Sequence, residues 1–131
     1  MPVLDASVLV VYLTGGELAG AAREALLDDQ RAGWAPHLVD AEVGHALRRT
    51  VAAGELSGRA ARAALDDLAD LPIHRAGHRG LLARAWELRS NLTFYDGVYV
   101  ALAERLGLPL VTLDARMAGA PGIRARVDVL G

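Results

Sequence analysis

The sequence contains no cysteine and no lysine. Without cysteine there is no disulfide framework, no thiolate metal site and no sulfur nucleophile. Without lysine all 14 basic side chains are arginine, so any mechanism that needs a lysine is excluded, the P-loop phosphate grip among them. Aromatic residues are only 5% of the chain, while 53% is hydrophobic and drawn mainly from Ala, Val and Leu. That balance suits helices layered on a buried sheet. Long apolar runs are missing too, and no stretch approaches the roughly 18 uncharged residues of a membrane span. The opening "MPVLDASVLVVYL" has no basic flank and is interrupted by an acid, so it reads as a strand running into a helix, not a signal peptide. The expectation is a cytoplasmic protein with no membrane partner. Its 131 residues form a single domain over 1–131, near the commonest domain size.

What is present alternates between strand and helix signals. Val3 to Asp5 read as a short buried strand, with Ser7 as the cap of the helix behind it. A helix is expected from Glu17 to Gln30, an extended piece at Gly33 to Ala35, and a helix from Pro36 to Ala53 closed by Gly54. Ser57 caps the next helix, to Leu71. Pro72 to Arg75 make a strand, His78 to Ser90 a helix, and Asn91 to Tyr95 a loop. Asp96 opens a helix stopped by Gly107 and Pro109. "LPLVTL" is the next strand, and "RVDVL" closes the chain as an edge strand. Alternation of this kind implies an α/β fold with a mainly parallel central sheet flanked by helices on both faces. In such sheets, sites form at the carboxyl ends of strands.

Four acids stand at informative places. Asp5 and Asp114 each follow a strand directly, and Asp96 precedes a helix. Each alone is an ordinary turn or capping residue. Glu42, in "LVDAEVGHALRRT", lies about 60° from the apolar face formed by Val39, Val43, Ala46 and Leu47 at 100° per residue. That border position aims its carboxylate along the core edge, although a pairing with Arg49 on the same flank accounts for it equally well. Asp40 reads as a surface or supporting acid. Ser7 can orient Asp5, and Thr112, two residues before Asp114 on a strand, faces the same side.

The set says more than its members. Four converging carboxylates repel one another and raise each other's pKa unless a cation relieves them. An oxygen-only ligand set suits Mg²⁺ or Mn²⁺ and not zinc. Such ions orient a water for in-line attack on a phosphodiester. The formal charge of −2 argues against a nucleic-acid partner. With the four site acids neutralised, however, twelve acids face 14 arginines and the remainder is +2.

The stretches "VLDASVL", "LVDAEVGHALRR" and "LTFYDGVYVALAERLGLPLVTLDARM" resemble, in order, the motifs of PIN-domain ribonucleases, and more narrowly VapC toxins of bacterial type II toxin–antitoxin pairs. The resemblance spans nearly the whole chain. It implies endonucleolytic RNA cleavage dependent on Mg²⁺ or Mn²⁺, with Asp5, Glu42 and Asp96 as principal acids and Asp114 as the fourth. It places Ser7 and Thr112 as supporting residues. It also implies a homodimer inhibited by a cognate VapB-like antitoxin. Two positions depart from the pattern. Gly97 follows Asp96 where Ala is more familiar, which predicts a looser helix start. Arg116 stands where some relatives carry another acid, which predicts water-mediated metal contact at Asp114.

Rival readings are weaker. A phosphatase resembling the haloacid dehalogenase family, with Asp5 as nucleophile, lacks its second Asp at Ser7 and its lysine. His74 and His78 are spaced for a helix but straddle a break, and no third zinc ligand is evident. Trp86 reads as a core or dimer-face residue, flanked by Arg84 and Arg89 on a solvated face. A catalytically weak PIN-like module that binds RNA or antitoxin is the main alternative, but such a module gains nothing from four mutually repelling acids.

Overall fold

A computed structural model describes residues 1–27 and 33–131. The elements in chain order are β1 (Val3–Leu4), α1 (Ala6–Thr14), α2 (Ala19–Leu27), β2 (Trp34–Pro36), α3 (Leu38–Ala52), α4 (Gly58–Asp70) and β3 (His74–Ala76). A 3₁₀ turn (Arg79–Leu81) leads into α5 (Leu82–Glu87), followed by α6 (Phe94–Leu106), β4 (Leu110–Thr112), α7 (Ala115–Ala118) and β5 (Val127–Val129). The expected end of the second helix at Gln30 falls outside the described residues.

The five strands form one sheet in the order β3-β2-β1-β4-β5, and every pairing is parallel. Parallel neighbours need crossover connections, and right-handed crossovers decide which face each helix covers. The chain moves outward from β1 through β2 to β3, so α1 to α4 pack together on one face. It then returns past β1 to β4, which sends α5 and α6 to the other face, where α6 crosses β1, β2 and β4. The order reverses between β1 and β4. A doubly wound sheet opens a crevice at that point, beyond the strands' carboxyl ends.

Packing follows from the sequence pattern. Val3 and Leu4 are fully buried, as a central strand covered on both faces requires. In α4 the buried positions Ala61, Ala64 and Leu68 recur every three or four residues, with charges between them. α6 differs, because every residue from Gly97 to Ala103 is buried. It is the central helix of its face.

Several helix starts depart from expectation: α2 begins at Ala19 and not Glu17, and the helix expected from His78 to Ser90 is a 3₁₀ turn followed by α5, Leu82–Glu87. Asp5, not Ser7, is the N-cap of α1 and accepts the Ala6 N–H at 2.9 Å. Pro36 ends β2 instead of opening α3, whose first turn begins at Leu38. Thr93, not Asp96, caps α6, its hydroxyl accepting the Asp96 N–H at 3.1 Å. Asp96 therefore sits in the first turn with its carboxylate not spent on the cap. Ser57 caps α4 as expected, at 3.1 Å from the Ala60 N–H.

Gly97 also has a different reason from the loosened helix start expected of it. It is buried against α5, and a Cβ there would lie 3.1 Å from the Ala85 carbonyl oxygen and 3.2 Å from its Cα. The small residue lets α5 and α6 approach closely. Gly107 closes α6 in the left-handed conformation at φ 65°, which costs a side chain 1–2 kcal/mol. Gly107→Ala is expected to lower unfolding free energy by about 1 kcal/mol in urea titrations; an unchanged midpoint would contradict this account of the helix end.

Candidate active site

The crevice between β1 and β4 is organised around Asp5. Its backbone N–H donates to the Val111 carbonyl at 3.0 Å, which pins the end of β1 to β4. Its Oδ1 accepts the Ala6 N–H, and its Oδ2 receives two hydroxyls, from Ser7 at 2.8 Å and from Thr112 at 2.7 Å. Each hydroxyl has a second task. Ser7 Oγ accepts the Leu113 N–H at 3.2 Å, and Thr112 Oγ1 accepts the Asp114 N–H at 3.1 Å. Both hydroxyls thus tie the loop after β4 to a single carboxylate oxygen. Such partners fix a ligand's orientation and its remaining lone pairs. Ser7 and Thr112, the two hydroxyls expected to support the acids, both bond to Asp5.

Glu42 projects from α3, one turn inside its start. Its Oε1 is buried and meets the equally buried Tyr99 hydroxyl without a well-formed hydrogen bond between them. Arg49 does not pair with it. Burial pushes the Glu42 carboxyl above its ordinary value, and the nearby negative charges of Asp5 and Asp96 raise it further against the opposing influence of the Tyr99 hydroxyl. Asp96 is half-buried and also raised, first by burial and then by the charge of Asp5, with Asp114 adding to it. Asp5, Glu42 and Asp96 therefore share one electrostatic field, although they come from three distant stretches of chain.

Asp114 is more loosely attached to that field. It caps α7 through the Arg116 N–H at 2.9 Å, and the Arg116 guanidinium forks onto both its oxygens, each at 3.1 Å. That pairing lowers its pKa. Among the described residues no three His, Cys, Asp or Glu side chains close to direct metal-ligating geometry. The carboxylates face one crevice but stand apart, as like charges do.

Several contributors were not apparent from sequence. Tyr99 lies three residues after Asp96 on the same face of α6, a spacing that was available to read. Thr93 was hidden by the expected cap at Asp96. His78 is not a zinc ligand; its Nε2 accepts the Leu38 N–H at 2.9 Å and so caps α3, the helix that carries Glu42. Asp40 is held by a two-point pairing with Arg75 at 2.8 and 2.9 Å, and Arg75 also donates to the Leu68 carbonyl at 2.8 Å. Trp86 is not a core residue, since it is 59% exposed, with Arg89 lying 4.4 Å over its ring.

The family model for the PIN domain matches residues 3–123. The chain belongs to the PIN domain family. It is 46% identical over 129 residues to the ribonuclease VapC1 of Mycobacterium tuberculosis, covering 98% of this chain and 96% of that one. Its fold matches the crystal structure of M. tuberculosis VapC20, a sarcin–ricin loop cleaving toxin, with a TM-score of 0.71 and 17% identity over 91% of this chain and 94% of that one. It matches equally the VapBC2 structure from Rickettsia felis, bound to a promoter DNA fragment, with a TM-score of 0.71, 13% identity and 98% coverage of both chains. No helix in the described PIN chain is long and apolar enough to cross a membrane.

Two predictions follow from this geometry. Thr112→Val keeps the shape of a fully buried side chain but strips the Asp114 N–H and Asp5 of a partner. It should cost about 2 kcal/mol in denaturant unfolding, and a value near zero would contradict the hydroxyl bridge. The second concerns pH. Glu42 and Asp96 bind protons more tightly folded than unfolded, so in EDTA the melting temperature should fall as pH rises above the ordinary values of 3.8 and 4.5. Asp114 acts in the opposite sense, losing its contribution as pH falls. Glu42→Gln should flatten the fall; an equally steep profile would contradict the strain assigned to Glu42.

Proposed function

We propose that this protein is a Mg²⁺- or Mn²⁺-dependent endoribonuclease and the toxin of a type II toxin–antitoxin pair, built as one PIN domain over residues 1–131. Membership of the family, with 46% identity to a VapC ribonuclease along nearly the full length, supports the activity. The observation that carries the metal reading is the buried Glu42 Oε1, offered only a poorly aligned contact by the Tyr99 hydroxyl, beside two further carboxylates on separate elements. A buried acceptor in a field of like charge is costly unless a cation answers it.

The residues fit a hard divalent ion. Asp5, Glu42 and Asp96 supply only oxygen donors, and their open spacing suits an ion that keeps several waters. Asp114 would complete the set from the rim, where Arg116 now holds it. When bound, the ion supplies electrostatic stabilisation of the phosphate and a more acidic water. The chain's own work is positional. The Ser7 and Thr112 hydroxyls fix the direction of Asp5. The Thr93 cap leaves the Asp96 carboxylate available at the crevice. Tyr99 floors the site beneath Glu42, and the His78 cap holds the helix from which Glu42 projects.

The partners are RNA as substrate and a VapB-like antitoxin, a reading supported by the toxin–antitoxin assemblies among its structural likenesses. A cytoplasmic location fits an RNA substrate. Leu82 and Trp86, one turn apart on α5, and Phe94 and Tyr95 at the start of α6 are large exposed hydrophobic side chains, the kind that an isologous homodimer would cover. Trp86→Glu should shift sedimentation from dimer to monomer; an unchanged state would remove these side chains as the interface. The non-catalytic module reading is disfavoured by the strained acids, which binding alone does not require.

For the activity, antitoxin-free protein is expected to cut total cellular RNA into discrete fragments with Mn²⁺. The fragments should vanish in EDTA and with Asp96→Asn. Equal cutting by wild type and variant would overturn the reading.

A further inference from the structure

Arg62 and Arg126 share the exposed, local pairing of Arg116, but of these three only Arg116 pairs with an acid of the candidate site, and it contrasts with two partly buried arginines. Arg75 and Arg84 have side chains 20% and 22% exposed. Both bind acids and carbonyls on distant segments. Arg84 reaches Glu104 at 2.7 and 3.2 Å, Glu87 at 3.1 Å and the Gly122 carbonyl at 2.6 Å. Those two are struts. The Arg116 side chain is 91% exposed, and among the described residues its guanidinium bonds only to Asp114, two residues away. Its charge nevertheless reaches Asp96. It is a cation at the mouth of an acidic crevice, held by one local and solvent-exposed pairing that is weak by nature.

From this geometry we infer that Arg116 is a phosphate-binding residue for the substrate RNA, parked on Asp114 and released when a divalent ion draws on that carboxylate. The inference rests on the metal-dependent ribonuclease reading above. The forked, two-point contact that the guanidinium makes with a carboxylate is the geometry with which it grips a phosphate. Metal and Arg116 compete for Asp114. Once Asp114 shares its charge with the ion, the arginine's best remaining anion is the RNA backbone entering the crevice. Occupying the site with metal and recruiting the substrate are thereby linked by one side chain.

Competition makes the two affinities move in opposite directions when the charge is removed. Arg116→Gln, at a side chain with almost no buried contact, should lower the melting temperature in EDTA only slightly, by the loss of one exposed pairing. Mn²⁺ binding by calorimetry should tighten about two- to fivefold, the range of an exposed ion pair. RNA affinity is read by anisotropy of a fluorescent poly(U) oligomer in Ca²⁺, with intact RNA verified on the same samples. It should weaken several-fold, and the slope of log affinity on log salt should fall by about 0.7, one single-strand phosphate contact. Arg116→Lys should restore the salt slope without restoring the full affinity. Unchanged RNA affinity and slope in Arg116→Gln would overturn the phosphate role, and unchanged Mn²⁺ affinity would overturn the competition. A wild type that takes up no Mn²⁺ would instead defeat the metal reading, and the competition with it.

Discussion

The structure depends on the convergence of like charge where the sheet's strand order reverses. Asp5 lies at the end of β1 with one carboxylate oxygen receiving two hydroxyls, Ser7 at 2.8 Å and Thr112 at 2.7 Å. Those hydroxyls in turn hold the backbone of the loop that carries Asp114. The same crevice receives Glu42 from one face of the sheet and Asp96 from the other. Folding therefore assembles a site that burial and mutual repulsion both oppose, and the rest of the architecture compensates for it.

The compensation is visible in how each acid is held. Thr93 takes over the cap of α6, and its side chain also bears on the Asp96 carboxyl, opposing the rise that burial imposes. Glu42 sits on a helix whose first N–H is met by His78 from the other side of β3, with the Arg75–Asp40 pair bracing the same entry. The close approach of α5 and α6 at Gly97 and Ala85 sets the position of α6, and with it Asp96 and Tyr99. In the metal reading proposed above, fixed directions would matter more than closed geometry, because an ion that retains waters tolerates spacing but not wandering ligands.

Much of this was legible in the sequence. The strand and helix alternation gave the parallel sheet, and the acids at strand ends marked its carboxyl edge. The supporting hydroxyls followed from Ser7 beside Asp5 and from the two-residue period linking Thr112 to Asp114. What escaped depended on contacts between distant segments or on competition between neighbouring caps. Thr93 and Asp96 are both good capping residues, and the sequence pattern alone does not choose between them. His78 as the cap of α3 joins positions 40 residues apart, which no local pattern encodes. Trp86 was read as core or dimer face, and only its exposure excludes the first.

Burial and the charge of neighbouring acids raise the Glu42 and Asp96 carboxyls, and in the reading proposed above a divalent ion binds there in competition with protons. The most direct test is Mn²⁺ calorimetry at mildly acidic pH in two buffers of different ionisation enthalpy, comparing wild type with Glu42→Gln. The account predicts proton release on metal binding that grows as pH falls and is reduced in the variant. Metal binding with no proton release, or with the same release in both proteins, would contradict it.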